Sequence, residues 1–122
     1  MAVRHFEGLG AFETDCADVH TSMATRPADF VLVDVRSQAS FELGHIGGAV
    51  HLPHGSLTED ALAVYADDTL FVVYCAGPHC NAADQAALRL ARLGRPVKKM
   101  IGGVQGWTDE GYDLASLLAA PC

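Results

Sequence analysis

The stretch Thr69-Leu-Phe-Val-Val-Tyr-Cys-Ala-Gly-Pro-His-Cys80 is the strongest indication of the architecture. Its first part, 69–74, is apolar and rich in β-branched and aromatic residues, which predicts a buried strand. A glycine and a proline typical of a turn follow, and then a helical pattern over 81–93 ends just before Gly94. We therefore expect Cys75 between the carboxyl end of a strand and the first turn of a helix.

A thiol at that position is expected to lose its proton readily. The first amides of a helix have no partner within the helix, and the helix dipole adds about half a positive charge there. An ordinary cysteine with a pKa near about 8.5 is roughly 3% thiolate at pH 7, and lowering the pKa by about two units needs roughly 2.7 kcal/mol. Cys75 is thus a candidate nucleophile, and the alternative is a small buried residue that ends a strand.

Composition limits the class of protein. Half of the 122 residues are hydrophobic, which favours a single folded domain over 1–122. The net charge of −7 argues against a nucleic-acid partner, since Lys98-Lys99 is the only adjacent basic pair. No run approaches the roughly 18 apolar residues of a membrane span, so no membrane partner is expected. Four cysteines in a chain able to build a core indicate a cytoplasmic protein with free thiols.

Short apolar runs alternate with helical patterns along the chain. Strands are expected at 30–33, 49–52, 69–74 and 96–101. Helices are expected at about 14–24, 37–44, 56–65, 81–93 and 105–110, three of them begun by the capping residues Thr14-Asp15, Ser37 and the capping box Ser56-Leu-Thr-Glu59. This alternation predicts an α/β fold of three layers, with a mainly parallel sheet and helices on both faces.

Ligands of such sheets bind where the strands end. Cys75 and Arg36 both directly follow a strand, so we expect them on the same edge of the sheet. Arg36 is expected either to form a structural ion pair with Asp34 or Glu42, or to be available to a substrate.

The tail and the histidines are less informative. Leu114, Leu117 and Leu118 have helical spacing, and they are expected to pack on the domain or on a second subunit, so a monomer and a homodimer both stay open.

The spacing of His51 and His54 could ligate a metal, but zinc needs about four ligands and no second pair is evident. We therefore expect no metal, including at the trio Cys75, His79 and Cys80.

Four segments, in this order, resemble the rhodanese family of sulfurtransferases over nearly the whole chain. They are Asp34-Val-Arg36, the segment Phe41-Glu-Leu-Gly-His-Ile-Gly-Gly-Ala49 with Leu52-Pro53, Val73-Tyr-Cys75 with the loop after it, and Gly102-Gly-Val-Gln-Gly-Trp107. Each motif alone is weak, but together they are a strong signal. The resemblance implies a rhodanese-like domain with a parallel sheet of about five strands.

The resemblance also implies a chemistry. Cys75 would carry a persulfide between a sulfane-sulfur donor and a thiophilic acceptor, with no metal and no organic cofactor. The implied partners are small sulfur donors and thiol or cyanide-like acceptors, with a protein acceptor as an alternative. Backbone amides of the loop would bind the persulfide anion; its residues are Ala76, Gly77, Pro78, His79, Cys80 and Asn81.

Two loop residues depart from the family pattern. Cys80 stands where arginine, serine or threonine is usual, and Pro78 lacks the amide of the common glycine. With no loop cation and fewer donors, efficient use of thiosulfate, a dianion, is not expected. Cys80 is either a small residue at a helix start or a resolving thiol that attacks the Cys75 persulfide, forms a disulfide and releases sulfide.

The sequence leaves two alternatives to sulfur transfer. Phosphatases and arsenate reductases of related architecture use a Cys-x5-Arg loop, but Asn81 stands at that arginine position, so an oxyanion would lack its bidentate partner. The remaining alternative is a redox-sensing or non-catalytic domain in which Cys75 and Cys80 cycle between dithiol and disulfide.

Overall fold

Five strands and six α-helices alternate in the computed structural model, which describes residues 1–25, 29–77 and 80–116. The strands are β1 (Glu13–Asp15), β2 (Phe30–Asp34), β3 (Val50–His51), β4 (Leu70–Tyr74) and β5 (Val97–Ile101). The helices are α1 (Ala2–Phe12), α2 (Cys16–Thr25), α3 (Gln38–Leu43), α4 (Glu59–Leu62), α5 (Ala82–Arg92) and α6 (Gly103–Asp109), with a 3₁₀ turn at His54–Ser56.

The strands form one parallel sheet in the order β1-β5-β4-β2-β3. Strand β4 lies in the middle, and it pairs with β2 along the register Phe30↔Leu70 to Asp34↔Tyr74. A central strand is covered on both faces, which is why its sequence is continuously apolar. The predicted α/β fold with about five mainly parallel strands is confirmed.

Two cores lie on opposite faces of the sheet. Phe71 and Val73 of β4 pack with residues of α4 and α5, whereas Val72 and Tyr74 pack with residues of α2 and α6. Successive side chains of a strand point to opposite faces, so β4 contributes to both cores. This arrangement is the predicted three-layer architecture.

The beginning of the chain differs from the prediction. Helix α1 was not expected, and Thr14 and Asp15 belong to β1 rather than to a helix. The polar sequence of β1 hides its strand character, because an edge strand is held by pairing with β5 instead of by burial. Asp15 still caps α2, since its Oδ1 accepts the amide of Asp18 at 2.8 Å.

One of the other predicted caps is right and one is wrong. Ser37 accepts the amide of Ser40 at 3.2 Å and begins α3, as expected. Ser56 lies in the 3₁₀ turn instead, and Thr58 caps the one-turn helix α4 by accepting the amide of Ala61 at 3.2 Å. The predicted helix over 56–65 is therefore too long, because Ser56 belongs to the turn and α4 spans only Glu59–Leu62.

The C-terminal part of the described chain packs on the domain. The amide of His45 donates to the carbonyl oxygen of Ala115 at 2.9 Å, and Ala115 donates back at 2.7 Å. Residues 112–116 are thus not helical, whereas Leu117 and Leu118 lie outside the described residues. In the residues that the structure describes, no helix is long and apolar enough to cross a membrane.

Candidate active site

Cys75 directly follows β4, and α5 begins at Ala82 with Asn81 as its N-cap residue. The predicted succession of strand, loop and helix is therefore present. Cys75 itself is 4% exposed. Pro78 and His79 of the loop lie outside the described residues.

The sulfur atoms of Cys75 and Cys80 form a disulfide, with the two Cα atoms 6.4 Å apart. Disulfides need Cα atoms within about 7 Å, and the curled loop provides that separation. The expectation of free thiols is thus wrong for these two residues in this form of the protein. Among the described cysteines, Cys16 is the free one. A thiol reductant must open the disulfide before Cys75 can act as a nucleophile.

The loop folds back on itself near Cys80. The Cys80 amide donates to the carbonyl oxygen of Gly77 at 3.2 Å, so this amide is occupied in the disulfide form. The Asn81 carbonyl accepts the Gln85 amide at 3.1 Å as part of α5. Binding of a persulfide by the loop amides stays a prediction.

Helix α6 holds the opposite side of the loop. The amides of Val104 and Gln105, in its first turn, donate to the carbonyl oxygens of Cys75 and Ala76 at 3.0 and 2.9 Å. These first-turn amides have no partner within the helix, so the loop carbonyls satisfy them. The orientation of the peptides after Cys75 is thereby fixed by α6.

Gly103 makes this close approach possible. Its φ is +60°, and a Cβ atom there would lie 2.9 Å from the Gly77 nitrogen and 3.0 Å from the Ala76 carbonyl carbon. Only glycine adopts such a conformation readily while leaving that space empty. The segment Gly102–Trp107, singled out in the sequence, thus has a structural role: it supports the loop that carries Cys75.

A cavity of about 190 Å³ lies beside the disulfide. Cys75, Cys80, Asp84 and Lys99 contribute to its wall, together with the Gly102-Gly103 turn. A larger cavity of about 690 Å³ lies between α5 and the 3₁₀ turn, but neither cysteine lines it. We assign the small cavity to the site because it contains the candidate nucleophile.

The cation of this cavity comes from β5 rather than from the loop. Lys99 Nζ lies 2.8 Å from Oδ1 of Asp84 and 3.4 Å from Oε2 of Glu13. The hydrogen bond with Asp84, more than any other cause, raises the pKa of Lys99. Sequence reasoning missed Lys99 as a residue of the site. Its place in β5, two residues before the strand ends, was the signal that could have found it.

Arg36 and Asp34 form a buried ion pair at the end of β2. Arg36 Nη2 lies 2.7 Å from Oδ2 of Asp34 and donates to the Gly44 carbonyl oxygen at 2.6 Å, while Nε is 3.1 Å from both Asp34 oxygens. The side chains are 11% and 0% exposed. Of the two expected roles of Arg36, the structure contains the ion pair, and its partner is Asp34.

Tyr74 extends this network across the sheet. Its hydroxyl accepts the amide of Ile46 at 3.1 Å, and its ring centroid lies 5.9 Å from the Arg36 guanidinium carbon. Burial, helped by the charge of Asp34, raises the pKa of Tyr74, which keeps the phenol neutral. The Gly-His-Ile segment is in this way tied to the ends of β2 and β4.

The histidines also have structural contacts. His45 Nδ1 lies 2.8 Å from the Phe41 carbonyl oxygen, and His51 Nε2 lies 2.7 Å from that of Arg36. Within residues 1–25, 29–77 and 80–116, no three His, Cys, Asp or Glu residues are grouped so that they could hold a metal ion.

Cys16 has an environment opposite to that expected of a nucleophile. It is buried in the core that β4 forms with α2 and α6, and its sulfur lies 3.6 Å from the carbonyl oxygens of Ile101 and Gly103. Burial, followed by the charges of Asp15 and Glu110, raises the pKa of Cys16 to about 11. Its thiol is protonated and unreactive at neutral pH.

Comparison with known proteins agrees with this geometry. The family model described as a rhodanese-like domain matches residues 16–110. The chain is 39% identical to the thiosulfate sulfurtransferase GlpE of Ectopseudomonas mendocina, over 63% of this chain and 69% of that protein. It is also 34% identical to the HTH-type transcriptional regulator Rv0324 of Mycobacterium tuberculosis, over 93% of this chain. The chain spans half the length of that regulator.

A solved structure is similar over almost the entire chain. The BH2092 protein from Bacillus halodurans superposes with a TM-score of 0.90 at 32% sequence identity. The match covers 96% of this chain and 85% of that one. The three-layer arrangement around β4 is therefore shared with an experimentally determined structure.

Proposed function

The chain belongs to the rhodanese-like domain family, and from this premise we propose that it is a sulfurtransferase that carries a sulfane sulfur on Cys75. The single observation that supports this most is the position of Cys75 after the central strand, before α5, with its carbonyl held by α6. Ala76, Gly77 and Asn81 belong to the proposed anion-binding loop with Cys80. Residues 1–122 are proposed to form one domain.

The proposed reaction has two transfers. After a thiol opens the disulfide, the Cys75 thiolate attacks the outer sulfur of the donor, and the donor's remaining part leaves with the electron pair of the broken bond. A thiophilic acceptor, such as a thiol, cyanide or a protein thiol, then attacks the terminal sulfur and regenerates the Cys75 thiolate. No step uses a metal or an organic cofactor. The need for reducing thiols fits the cytoplasm as the proposed location.

A second function is favoured by the disulfide itself. Cys80 would attack the inner sulfur of the Cys75 persulfide, form the disulfide and release hydrosulfide, so that the domain reports on sulfur or redox state instead of passing sulfur on. A regulatory use of this kind is consistent with the name of the transcriptional regulator that the chain resembles. In this reading Cys80 is the resolving thiol.

Variants of the reduced protein separate these functions. With a small persulfide as donor, Cys75→Ala is expected to abolish both transfer to an acceptor thiol and sulfide release. Cys80→Ala is expected to keep transfer and to lose the sulfide that is released without acceptor. The matched control is Cys16→Ala, which removes a cysteine outside the site. Transfer by Cys75→Ala at the wild-type rate would refute the proposed sulfurtransferase.

A further inference from the structure

Asp84 and Lys99 line the same cavity as Cys75 and Cys80, and they face each other there. Lys99 Nζ and Asp84 Oδ1 are 2.8 Å apart, so an ammonium and a carboxylate lie side by side next to the candidate nucleophile. The Lys99 side chain is 25% exposed and that of Asp84 is 60% exposed. Both charges can therefore be reached by a molecule that enters the cavity.

The charge balance of this cluster disfavours anions. Lys99 also lies 3.4 Å from Glu13, so within ion-pair distance one ammonium faces two carboxylates. Arg4 contributes to the neighbouring cavity, which Glu13, Asp84 and Lys99 also line. A dianion such as thiosulfate that entered beside Cys75 would therefore meet a lysine already paired with carboxylates. A zwitterion would add no net charge, and its carboxylate could take an N–H of Lys99 while its ammonium approached Asp84. An ammonium has three N–H donors, and a carboxylate accepts at both oxygens, so these contacts need not break the Asp84–Lys99 pair.

The size of the cavity restricts the zwitterion. Its volume of about 190 Å³ is below the range of about 300–1,000 Å³ that is usual for drug-sized ligands. A single amino acid with a short sulfur-bearing side chain is of the right scale.

We propose that Asp84 and Lys99 bind the amino-acid end of the sulfur donor, and that the donor is the persulfide of a small α-amino thiol such as cysteine. This inference rests on the proposed function of Cys75. The donor carboxylate contacts Lys99, the ammonium contacts Asp84, and the outer sulfur faces Cys75. The pair determines donor specificity.

The transfer balances without another reactant once the disulfide has been reduced. Dithiothreitol opens the Cys75–Cys80 bond and is itself oxidised to a cyclic disulfide. The Cys75 thiolate then bonds to the outer sulfur of R–S–SH, the donor S–S bond breaks, and R–S⁻ leaves. Cys75–S–SH retains the proton of the donor's outer sulfur.

The test compares donors that lack one charge at a time. Reduced protein, freed of dithiothreitol, is given one of four donors. Two are cysteine persulfide and thiosulfate. The other two are the persulfide of cysteamine, which has no carboxylate, and the persulfide of 3-mercaptopropionate, which has no ammonium. The variants are Lys99→Met and Asp84→Asn. The control is Lys98→Met on the same strand, because Lys98 lines a different cavity. Delivery of sulfur to Cys75 is measured as kcat/KM, with kcat and KM resolved.

For cysteine persulfide, each variant is expected to lose about tenfold in kcat/KM through a higher KM, the scale of one hydrogen bond to a charged group. Lys99→Met should not lower kcat/KM for the cysteamine persulfide, and Asp84→Asn should not lower kcat/KM for the 3-mercaptopropionate persulfide. Lys98→Met should have no effect on any donor.

Equal losses for all four donors, or no loss for cysteine persulfide, would overturn the assignment of this pair while leaving Cys75 as the sulfur carrier. If no donor places sulfur on Cys75 of the wild-type protein, the proposed function and this inference are both refuted.

Discussion

The ends of β2 and β4 lie next to each other at one edge of the sheet, yet they differ in chemical state. At the end of β2, Asp34 and Arg36 are held by several short hydrogen bonds and are nearly inaccessible. At the end of β4, Cys75 shares a bond with Cys80 that a thiol can open, and it borders a cavity. The position at the edge of the sheet is the same, so position alone does not distinguish a reactive residue from a structural one.

The difference lies in what would happen if each contact were broken. A buried carboxylate without a partner is costly, so loss of the Asp34–Arg36 pair is expected to destabilise the fold. Reduction of the disulfide instead leaves two thiols, which tolerate burial well. The end of β4 can therefore change redox state, whereas the end of β2 stays fixed.

We expect the largest loss of stability at the Asp34–Arg36 ion pair. Arg36→Ala leaves Asp34 buried without its counter-charge, and we expect the free energy of unfolding to fall by about 3–5 kcal/mol. Urea denaturation at pH 7 measures this free energy of unfolding. The double variant Asp34→Asn/Arg36→Met should recover part of the loss because no charge is left uncompensated. A loss below about 1 kcal/mol would mean that Arg36 is not a structural residue.

A smaller loss of stability is expected at Gly103, where α6 approaches the loop that carries Cys75. Gly103→Ala combines a positive φ with a collision between its Cβ and the loop backbone. We expect a loss of about 3 kcal/mol in stability, the sum of the left-handed strain and of overpacking, together with slower sulfur transfer.

Gly94→Ala is the matched control for Gly103→Ala. Gly94 has a φ of +79° but nothing within 4 Å of an added Cβ. It should cost only about 1–2 kcal/mol, from the backbone conformation alone. Equal stability losses in the two variants would show that the close approach of Gly103 to the Cys75 loop does not matter.

The smallest expected effect is the pH dependence of stability that comes from Cys16, the cysteine outside the site. The pKa of Cys16 is raised to about 11, so the folded state keeps the proton that the unfolded state loses first. Its stabilising contribution is complete below pH 9 and is lost as the pH rises towards 11. At pH 10 the wild-type protein should have lost about 1 kcal/mol more than Cys16→Ala, relative to pH 7. Parallel pH profiles would contradict a buried, protonated Cys16.

The sequence was sufficient for the central part of the fold. Apolar runs predicted β2, β4 and β5, and the strand-to-helix transition placed Cys75 correctly, because burial leaves a direct mark on composition. It was insufficient for β1, whose polar residues are held by pairing with β5. The capping box predicted Ser56 as the helix cap, whereas Thr58 caps α4. Both residues have capping side chains, and the local sequence pattern does not fix the turn between them.

The composition of the cavity depends on contacts that the sequence does not display. Lys99 is far from Cys75 in the chain, and only the parallel pairing of β4 with β5 brings it to the site. Arg36 had two open roles, and the choice depended on the carbonyl of Gly44, which tertiary folding places beside it. The sequence left the Cys75–Cys80 disulfide as one of two alternatives. The curvature of the loop sets the distance between the two Cα atoms, and the sequence does not show that curvature.

The most direct test of the account is the intact mass of the reduced protein after treatment with a small persulfide donor. We expect a gain of about 32 Da, one sulfur atom, that peptide mapping assigns to Cys75 in Cys80→Ala and that is absent in Cys75→Ala. In the wild-type protein the added sulfur should be lost as the disulfide re-forms, if Cys80 resolves it. No gain of mass at Cys75 in Cys80→Ala, in protein shown to be folded and reduced, would contradict the claim that the end of β4 carries sulfur.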